Sequence, residues 1–423
     1  MNPGQTLSLS IEKPAAGGRM IARVEGQVVL VANAIPGERV TARIERVGRG
    51  VAYADAVGVE DGSPDRRAAV ADPSCGGCLY SHITYERQLA IKGLVIEDAF
   101  ARIAHLPLPA APIVAGSPEH GYRMRARVHV REGQVGFFRE GTHDLCEVRS
   151  TGQLRSDTCD TLDRLAAGLR SLGMAGVREI EVSENIDASQ RVVHLDTAVA
   201  LAPRVLGGLG LSEGLTGLTV STAPGRGPRA AVVSGSPHVV EVLGLAGHAV
   251  RLQRHVLSFF QGNRFLLQAL VDHVVGQVSP GDRVIDLYAG AGLFAVSAAV
   301  ARDAQVIAVE GERASADDLA SNAAATGGRV KAVHEPVEVF AARQHNPPAV
   351  LIVDPPRTGM SREALEGILR WKAAALVYVS CDVATLARDA RKLVDAGYLL
   401  DRLVGFDLFP NTPHVECVAT FKR

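Results

Sequence analysis

The residue with the clearest chemical potential in this sequence is Cys381. It follows the apolar run Ala374–Ser380, which is continuous enough to be a parallel strand covered on both faces, and a helix is predicted from Val383. In open parallel sheets, ligands bind just beyond the carboxyl ends of the strands. Cys381 is therefore predicted to lie where chemistry is done, although an inert buried cysteine is the commoner fate of such a residue.

A glycine turn predicts a cofactor site in the same part of the chain. The predicted strand Arg283–Leu287 runs into Gly290 and Gly292, and glycines at alternate positions let the backbone approach a ligand closely. Asp286 lies at the end of this strand, where it can meet a ligand amino group. The next predicted strand ends on Glu310, whose carboxylate can accept both hydroxyls of a ribose.

Two cofactors fit this turn. Its glycines satisfy the Gly-x-Gly-x-x-Gly/Ala pattern of a dinucleotide site. The position of Asp286, and the two successive β runs Tyr398–Leu408 and Val415–Phe421, favour an S-adenosylmethionine-binding methyltransferase over a dehydrogenase. The alternating strands and helices before those runs predict a doubly wound, Rossmann-like α/β domain over residues 249–423.

The rest of the chain is predicted to form two further domains. Residues 1–60 read as an OB-like β-barrel of five short strands separated by glycine turns. Residues 61–248 read as an α+β middle domain without a catalytic motif. The predicted barrel strands are Leu7–Ile11, Met20–Val24, Val28–Val31, Val40–Val47 and Ala52–Val57.

One predicted strand of the middle domain is basic. Arg123, Arg125 and Arg127 stand at alternate positions, so they would project to one side of the strand. The pattern is equally consistent with a solvent-facing strand and with a face that contacts the phosphates of a nucleic acid.

Composition restricts the class of protein. The chain has 423 residues, 45 basic and 46 acidic, and a net charge of −1, so any nucleic acid site must be local. No apolar segment is long enough to span a membrane and no secretory signal is visible, so a cytoplasmic protein is expected. The six cysteines do not suggest an extracellular disulfide framework, while Cys75 and Cys78 suggest a metal or redox element.

Five ordered motifs resemble those of the RNA 5-methyluridine (uracil-C5) methyltransferase family, and the N-terminal barrel resembles that family's TRAM domain. The resemblance implies that Cys381 is the nucleophile and Glu416 the base, and that Gln261, Tyr288, Glu310 and Asp354 contact S-adenosylmethionine. The motifs are Phe259–Asn263, Asp286–Gly292, Asp354–Gly359, Ser380–Asp389 and Phe409–Glu416.

The chemistry of uracil agrees with this resemblance. Addition of a thiolate to C6 makes C5 nucleophilic, and a carboxylate can then remove the C5 proton after methyl transfer. The expected partner is a structured transfer or ribosomal RNA with a flipped uridine, bound by a monomer. The alternatives are methylation of another RNA base such as cytosine C5, and a catalytically silent RNA-binding protein.

The resemblance also implies an iron–sulfur site, and here the sequence departs from the family. Many members hold a 4Fe–4S cluster with four cysteines, of which Cys75, Cys78 and Cys146 match. Residues 68–74, where the first cysteine is expected, contain none. Because a cluster normally needs four thiolates or a substitute, the chain has either lost the cluster or holds one with three cysteines. Cys159 or a non-cysteine ligand could supply the fourth position, but the family resemblance implies neither.

Overall fold

The N-terminal segment of the computed structural model folds into a six-stranded sheet curled around its own apolar core. The structure describes residues 1–174, 176–198, 206–207, 209, 214–221 and 230–423. The sheet has the strand order β1-β5-β6-β4-β3-β2. Its strands are β1 (Thr6–Ser10), β2 (Lys13–Pro14), β3 (Met20–Val24), β4 (Gln27–Ala32), β5 (Arg39–Val47) and β6 (Val51–Asp61).

This segment has the strand-rich, OB-like character that the glycine turns predicted. Alternate residues of β5, including Val40, Ala42 and Ile44, point into the core, as the period of two requires. The structure adds a sixth strand, β2, to the five predicted. The pairing of Pro14 with Met20 was missed because proline lacks the backbone donor of an ordinary strand residue.

The next segment forms a second sheet, of seven strands, with one helix against it. Its order is β10-β9-β8-β11-β12-β13-β14. A further strand, β7, joins the eight-stranded sheet of the C-terminal half instead. The elements are α1 (Tyr85–Ala99, extended by a wider helical turn at Phe100–Ala104), β7 (Ile113–Ala115), β8 (Arg125–Arg131), β9 (Gln134–Phe138), β10 (Leu145–Glu147), α2 (Ser156–Ser171), β11 (Val177–Glu184), β12 (Arg191–Thr197), β13 (Gly217–Ser221) and β14 (Ala230–Gly235).

The predicted basic strand is shorter than expected, and two of its arginines are paired with an acid. Strand β8 begins only at Arg125, and Arg123 precedes it in an isolated bridge to Asn263. The antiparallel neighbour β11 places Glu181 opposite Arg127, and Glu181 forms ion pairs with both Arg125 and Arg127. The sequence shows the arginines but not the acidic strand that pairs with them.

The C-terminal half contains a hairpin and the eight-stranded catalytic sheet, in the order β19-β18-β17-β20-β21-β23-β22-β7. The sheet is parallel except at β23, which runs antiparallel to both of its neighbours. The elements are β15 (His238–Leu245), β16 (His248–His255), α3 (Leu267–Val275), β17 (Arg283–Leu287), α4 (Leu293–Arg302), β18 (Gln305–Glu310), α5 (Arg313–Ala324), β19 (Val330–His334), α6 (Val337–Ala341), β20 (Val350–Val353), α7 (Arg362–Trp371), β21 (Ala375–Ser380), α8 (Val383–Asp395), β22 (Leu399–Phe406) and β23 (Glu416–Lys422).

Helices cover both faces of this sheet, as the doubly wound prediction requires. Alternate residues of one strand enter opposite cores: Val377 and Val379 pack on the α3, α4 and α5 side, and Leu376 and Tyr378 on the α6, α7 and α8 side. Strand order reverses between β17 and β20, so their carboxyl ends open a crevice there. None of the described helices is both long and apolar enough to cross a membrane.

Buried ion pairs join the middle segment to the catalytic sheet. Lys92 of α1 lies 2.5 Å from Asp407, which follows β22, with side chains 1% and 0% exposed. Glu184 at the end of β11 pairs with both Arg191 and Arg264. Such pairs strongly restrict geometry, because each charge is costly once its partner is removed.

The first prediction concerns the Lys92–Asp407 pair. Lys92→Met leaves Asp407 buried and unpaired, so it is expected to lower the free energy of unfolding by about 3–5 kcal/mol. Lys13→Met is the matched control, because its pair with Asp98 is 41% and 33% exposed and is expected to contribute less than about 1 kcal/mol. Urea denaturation followed by circular dichroism measures both; equal losses would contradict the assignment.

Candidate active site

Cys381 and Glu416 are brought together by strand register. Ser380 at the end of β21 pairs with Cys417 of β23, so the next positions outward are Cys381 and Glu416. Cys381 is a free, partly buried thiol between β21 and α8, and Glu416 is 3% exposed. Cys381 and Glu416 therefore lie together at the carboxyl edge of the sheet, although α8 and β22 separate them in the sequence.

The environment of Cys381 disfavours its thiolate in the ligand-free protein. Burial raises the pKa of Cys381 to about 11, and the charges of Glu416 and Asp354 act in the same direction. The positive charge of the Arg357 guanidinium opposes them. Asp382 caps the following helix by accepting a hydrogen bond from the Thr385 N–H at 2.8 Å.

The environment of Glu416 favours its protonated form in the ligand-free protein. Burial raises the pKa of Glu416 well above its usual value, and the charge of Asp354 raises it further. Arg357 is the charge that lowers it, so this cation favours the ionised carboxylate that a general base requires.

The glycine turn has the geometry of a cradle. Tyr288, Gly290 and Gly292 all have positive φ, at 61°, 56° and 93°. A Cβ on Gly292 would stand 2.9 Å from Leu319 Cδ1, whereas the space beside Gly290 is open. The Gly290 N–H donates to Glu310 Oε2 at 2.8 Å, which fixes the Glu310 carboxylate at the mouth of the turn.

Asp286 is a buried carboxyl group without a partner. It is fully buried in β17, and neither of its oxygens has a hydrogen-bond partner among the described residues. Burial raises the pKa of Asp286 well above its usual value, with Asp354 and Glu310 adding to the shift. An orphaned buried acid costs free energy unless a ligand donor or cation satisfies it.

Asp354 and Gln261 meet across the crevice. Asp354 follows β20, and its Oδ2 accepts a hydrogen bond from Gln261 Nε2 at 3.3 Å. Burial raises the pKa of Asp354 to about 7, an effect that the Gln261 hydrogen bond opposes and Glu310 increases. Gln261, Asp286, Glu310 and Asp354 thus surround one crevice at the point where strand order reverses.

The sequence reasoning missed the residues that hold the segment before Glu416. Asn411 (φ 63°) exchanges two hydrogen bonds of 2.9 Å with the Gln88 side chain, and its carbonyl accepts from the Tyr80 N–H. Asn263 Nδ2 donates to Leu408 O at 3.2 Å. Only Asn411 carried a signal, since asparagine tolerates the left-handed region. Arg357 was also missed, although it belongs to the Asp354–Gly359 motif.

The cysteines of the middle segment do not fit an iron–sulfur cluster. Cys75 and Cys146 form a disulfide, and Cys78 Sγ contacts Thr151 O at 3.8 Å. Burial raises the pKa of Cys78 to about 12. No group of three or more Cys, His, Asp or Glu side chains in the described ranges is arranged to hold a metal ion.

The fold defines a class of protein. The structure superimposes on a Pyrococcus abyssi tRNA (uracil-54, C5)-methyltransferase solved with S-adenosyl-L-homocysteine, with a TM-score of 0.76 over 98% of this chain and 99% of that one, at 22% identity. The chain therefore has the α/β methyltransferase fold that the glycine turn and the C-terminal hairpin predicted.

Sequence comparisons then identify the family. The TRAM domain model matches residues 2–57, and the tRNA (Uracil-5-)-methyltransferase model matches residues 343–423. A Pseudomonas putida 23S rRNA (uracil(1939)-C(5))-methyltransferase is 32% identical over 99% of this chain and 94% of its own length. An uncharacterised RNA methyltransferase of Streptomyces avermitilis is 33% identical over 98% of both chains. The chain belongs to the RNA uracil-C5 methyltransferase family.

The second prediction tests the electrostatics of Cys381. At an alkaline pH still below its pKa, Glu416→Gln is expected to speed alkylation of Cys381 by iodoacetamide, because it removes a charge that raises the thiol pKa. Arg357→Gln is expected to slow it, because it removes the opposing cation. Changes of about threefold correspond to half a pKa unit.

Peptide mass spectrometry measures the labelling of Cys381 over time. Cys417, which is fully buried, serves as the internal control and is expected to stay unlabelled in every variant. Rates that move in the same direction in both variants would contradict the assigned charges.

Proposed function

We propose that this protein methylates C5 of uracil in RNA, using S-adenosylmethionine and a covalent bond between Cys381 and C6 of the base. The observation that carries the proposal is that the free thiol of Cys381 and the buried carboxyl group of Glu416 lie at the same edge of the sheet. The crevice of the glycine turn opens at that edge too. Membership of the uracil-C5 family supports the choice of base and atom.

The residues of the crevice fit the methyl donor. When bound, S-adenosylmethionine supplies a methyl group on a sulfonium. Asp286 and Asp354 would attract its positive charges, because Asp286 is buried without a hydrogen-bond partner among the described residues and Asp354 is half-buried beside it. Glu310 would accept the ribose hydroxyls, Gly290 and Gly292 would leave room for the backbone approach, and Gln261 and Tyr288 would line the remaining sides.

Cys381 begins the reaction on the base. Its thiolate adds to C6, the C5–C6 π electrons move toward the C4 carbonyl, and C5 of the resulting enolate takes the methyl group. Glu416 then removes the proton left on C5. Elimination of the Cys381 thiolate restores the C5–C6 double bond, so the RNA gains one methyl group and releases one proton.

The ligand-free protein keeps Cys381 protonated, so its thiolate must form within the complex. With a pKa of about 11, only a small fraction of the thiol is ionised near neutrality. Arg357 is the cation that favours the thiolate, and it would stabilise it as bound RNA displaces water from the site. Cys381 is thus protected from adventitious oxidation until RNA is bound, because the thiolate is the reactive form.

Ribosomal RNA is the first substrate to test. The Pseudomonas putida relative that spans 99% of this chain is named for uracil 1939 of 23S rRNA. Transfer RNA is the second, because the structural match at 22% identity is a transfer RNA enzyme. Methylation of cytosine C5 and RNA binding without chemistry are the outcomes that would replace the proposal.

The third prediction traps the covalent bond. RNA made with 5-fluorouridine should form an adduct stable to denaturing electrophoresis, because fluorine cannot leave C5 as a proton does. Cys381→Ala should form none. Glu416→Gln should form adduct with both fluorinated and ordinary RNA, because it blocks the step after methyl transfer. An undiminished adduct with Cys381→Ala would refute the assigned nucleophile.

The fourth prediction concerns Asp286. Its raised pKa makes ionisation oppose folding, so its contribution is favourable below about pH 4 and is lost as the pH rises through the folded pKa. Asp286→Asn should therefore raise the thermal midpoint of the ligand-free protein at neutral pH, and this gain should vanish near pH 4. The same variant should lose most of the increase that S-adenosylmethionine gives to the wild type.

Asp389→Asn is the matched control. Asp389 is equally buried, but it accepts hydrogen bonds from Tyr378 Oη at 2.9 Å and from the Met360 N–H at 3.2 Å. Its replacement should lower the thermal midpoint at neutral pH. Thermal unfolding with and without the cofactor measures all three proteins. A full cofactor-induced increase in Asp286→Asn would contradict its assigned role.

A further inference from the structure

A cavity lies on the polar face of the seven-stranded sheet, away from the crevice. Its volume is about 470 Å³, within the range of small-molecule sites. Its lining combines aromatic and charged side chains from β8, β9 and β11 and the loop after β9. They include His129, Arg131, Phe138, His143, Arg178 and Glu179.

The aromatic side chains of this cavity are arranged for stacking. The His129 and Phe138 rings lie parallel, with centroids 3.6 Å apart and an interplanar angle of 8°. His143 meets Phe138 edge-on at 5.3 Å, and the Arg131 guanidinium lies 5.5 Å from the Phe138 ring centre. Burial lowers the pKa of His129, so its ring is largely uncharged at neutral pH.

A line of side chains runs from the cavity toward the active site. Side chains of β8 alternate between the core and the polar face, so Arg125, Arg127, His129 and Arg131 lie along one line. At the other end of that line, the Arg125 guanidinium is 5.9 Å from the ring centre of Phe259, which is exposed beside the glycine turn. The strand between Arg125 and Arg131 spans about 20 Å, a distance of a few nucleotides.

The ion pairs of this face argue for stacking as the source of affinity. Arg125 and Arg127 are paired with Glu181, and Arg127 also with Glu179, so they offer little net charge to an RNA backbone. At the far end of this line, the exposed Arg131 and the aromatic cluster remain available to a ligand. A nucleotide matches that combination, because its base has a π face and its phosphate accepts hydrogen bonds from arginine.

We propose that this cavity binds an unstacked base of the RNA substrate, a few nucleotides from the target uridine. The base stacks on the His129–Phe138 cluster against His143, and Arg131 contacts its phosphate. This inference rests on the proposed function for its substrate, but the site makes no contact with the reacting atoms. Its role is to hold the strand that flanks the flipped uridine, so it affects RNA binding and not the chemical step.

The fifth prediction tests the cavity with Phe138→Leu, His143→Ala and Arg131→Gln. The probe is a fluorescein-labelled single strand of about 12 uridines, a length within the usual site sizes of single-strand binders. Loss of stacking in the first two variants is expected to weaken binding about tenfold. Arg131→Gln should instead flatten the salt dependence of binding by roughly 0.7 in logarithmic slope, as for one lost phosphate contact.

The control is Arg362→Gln, which removes an exposed arginine of α7 whose side chain is 79% exposed. It should bind like the wild type. In methylation assays with a 23S rRNA transcript, the cavity variants should raise KM about tenfold and leave kcat unchanged. Because His143 is exposed, His143→Ala tests the cavity even if Phe138→Leu folds poorly.

Three outcomes would overturn the proposal: wild-type affinity in both Phe138→Leu and His143→Ala, no binding of the oligonucleotide by the wild type, or a fall in kcat at constant KM. The binding assay does not require catalysis. If the wild type binds the strand through the cavity but methylates no RNA, the proposed function fails and the cavity remains. If the wild type methylates RNA and the variants match it, only the cavity proposal fails.

Discussion

Buried negative charge is the constraint on which the active site depends. Burial raises the pKa of Asp286, Asp354 and Glu416 around one crevice, and the charge of Asp354 raises the pKa of the other two further. Arg357 is the cation that acts on both Glu416 and Cys381. A site of this kind is incomplete without positive charge, and a cofactor with a sulfonium and an ammonium supplies it. In the proposed function, the free energy that burying these acids costs the free protein becomes a contribution to cofactor affinity.

The position of the base depends on distant parts of the chain. Glu416 starts β23, and the loop before it is held by Asn411, which bonds to Gln88 of α1. The buried pair of Lys92 and Asp407 attaches the same helix to the start of that loop. The middle segment thus acts as a scaffold for this edge of the sheet. Several of these contacts are hydrogen bonds between buried groups. Small displacements of α1 would therefore change the position of Glu416.

The structural features that could be predicted from the sequence are local ones. The doubly wound order, the glycine turn and the strand before Cys381 follow from hydrophobic period and from glycine and acid positions within about ten residues of each other. It failed where an interaction joins distant strands. The neutralisation of Arg125 and Arg127 depends on Glu181, which only the fold places beside them. The proximity of Cys381 and Glu416 was predicted only in part. The order of the motifs suggested that the two residues act together, and the β21–β23 register brings them to the same edge of the sheet.

Strand β7 has a consequence for how the protein is made. It comes early in the chain, yet it pairs with β22 near the C-terminus, through Ile113 with Val404 and Ala115 with Phe406. The catalytic sheet cannot be completed until almost the whole polypeptide has left the ribosome. Until then the β7 segment stays without its partner strand, a situation that favours chaperone binding and non-native pairing. An isolated fragment beginning at β15 would lack this edge strand and would expose β22 to other chains.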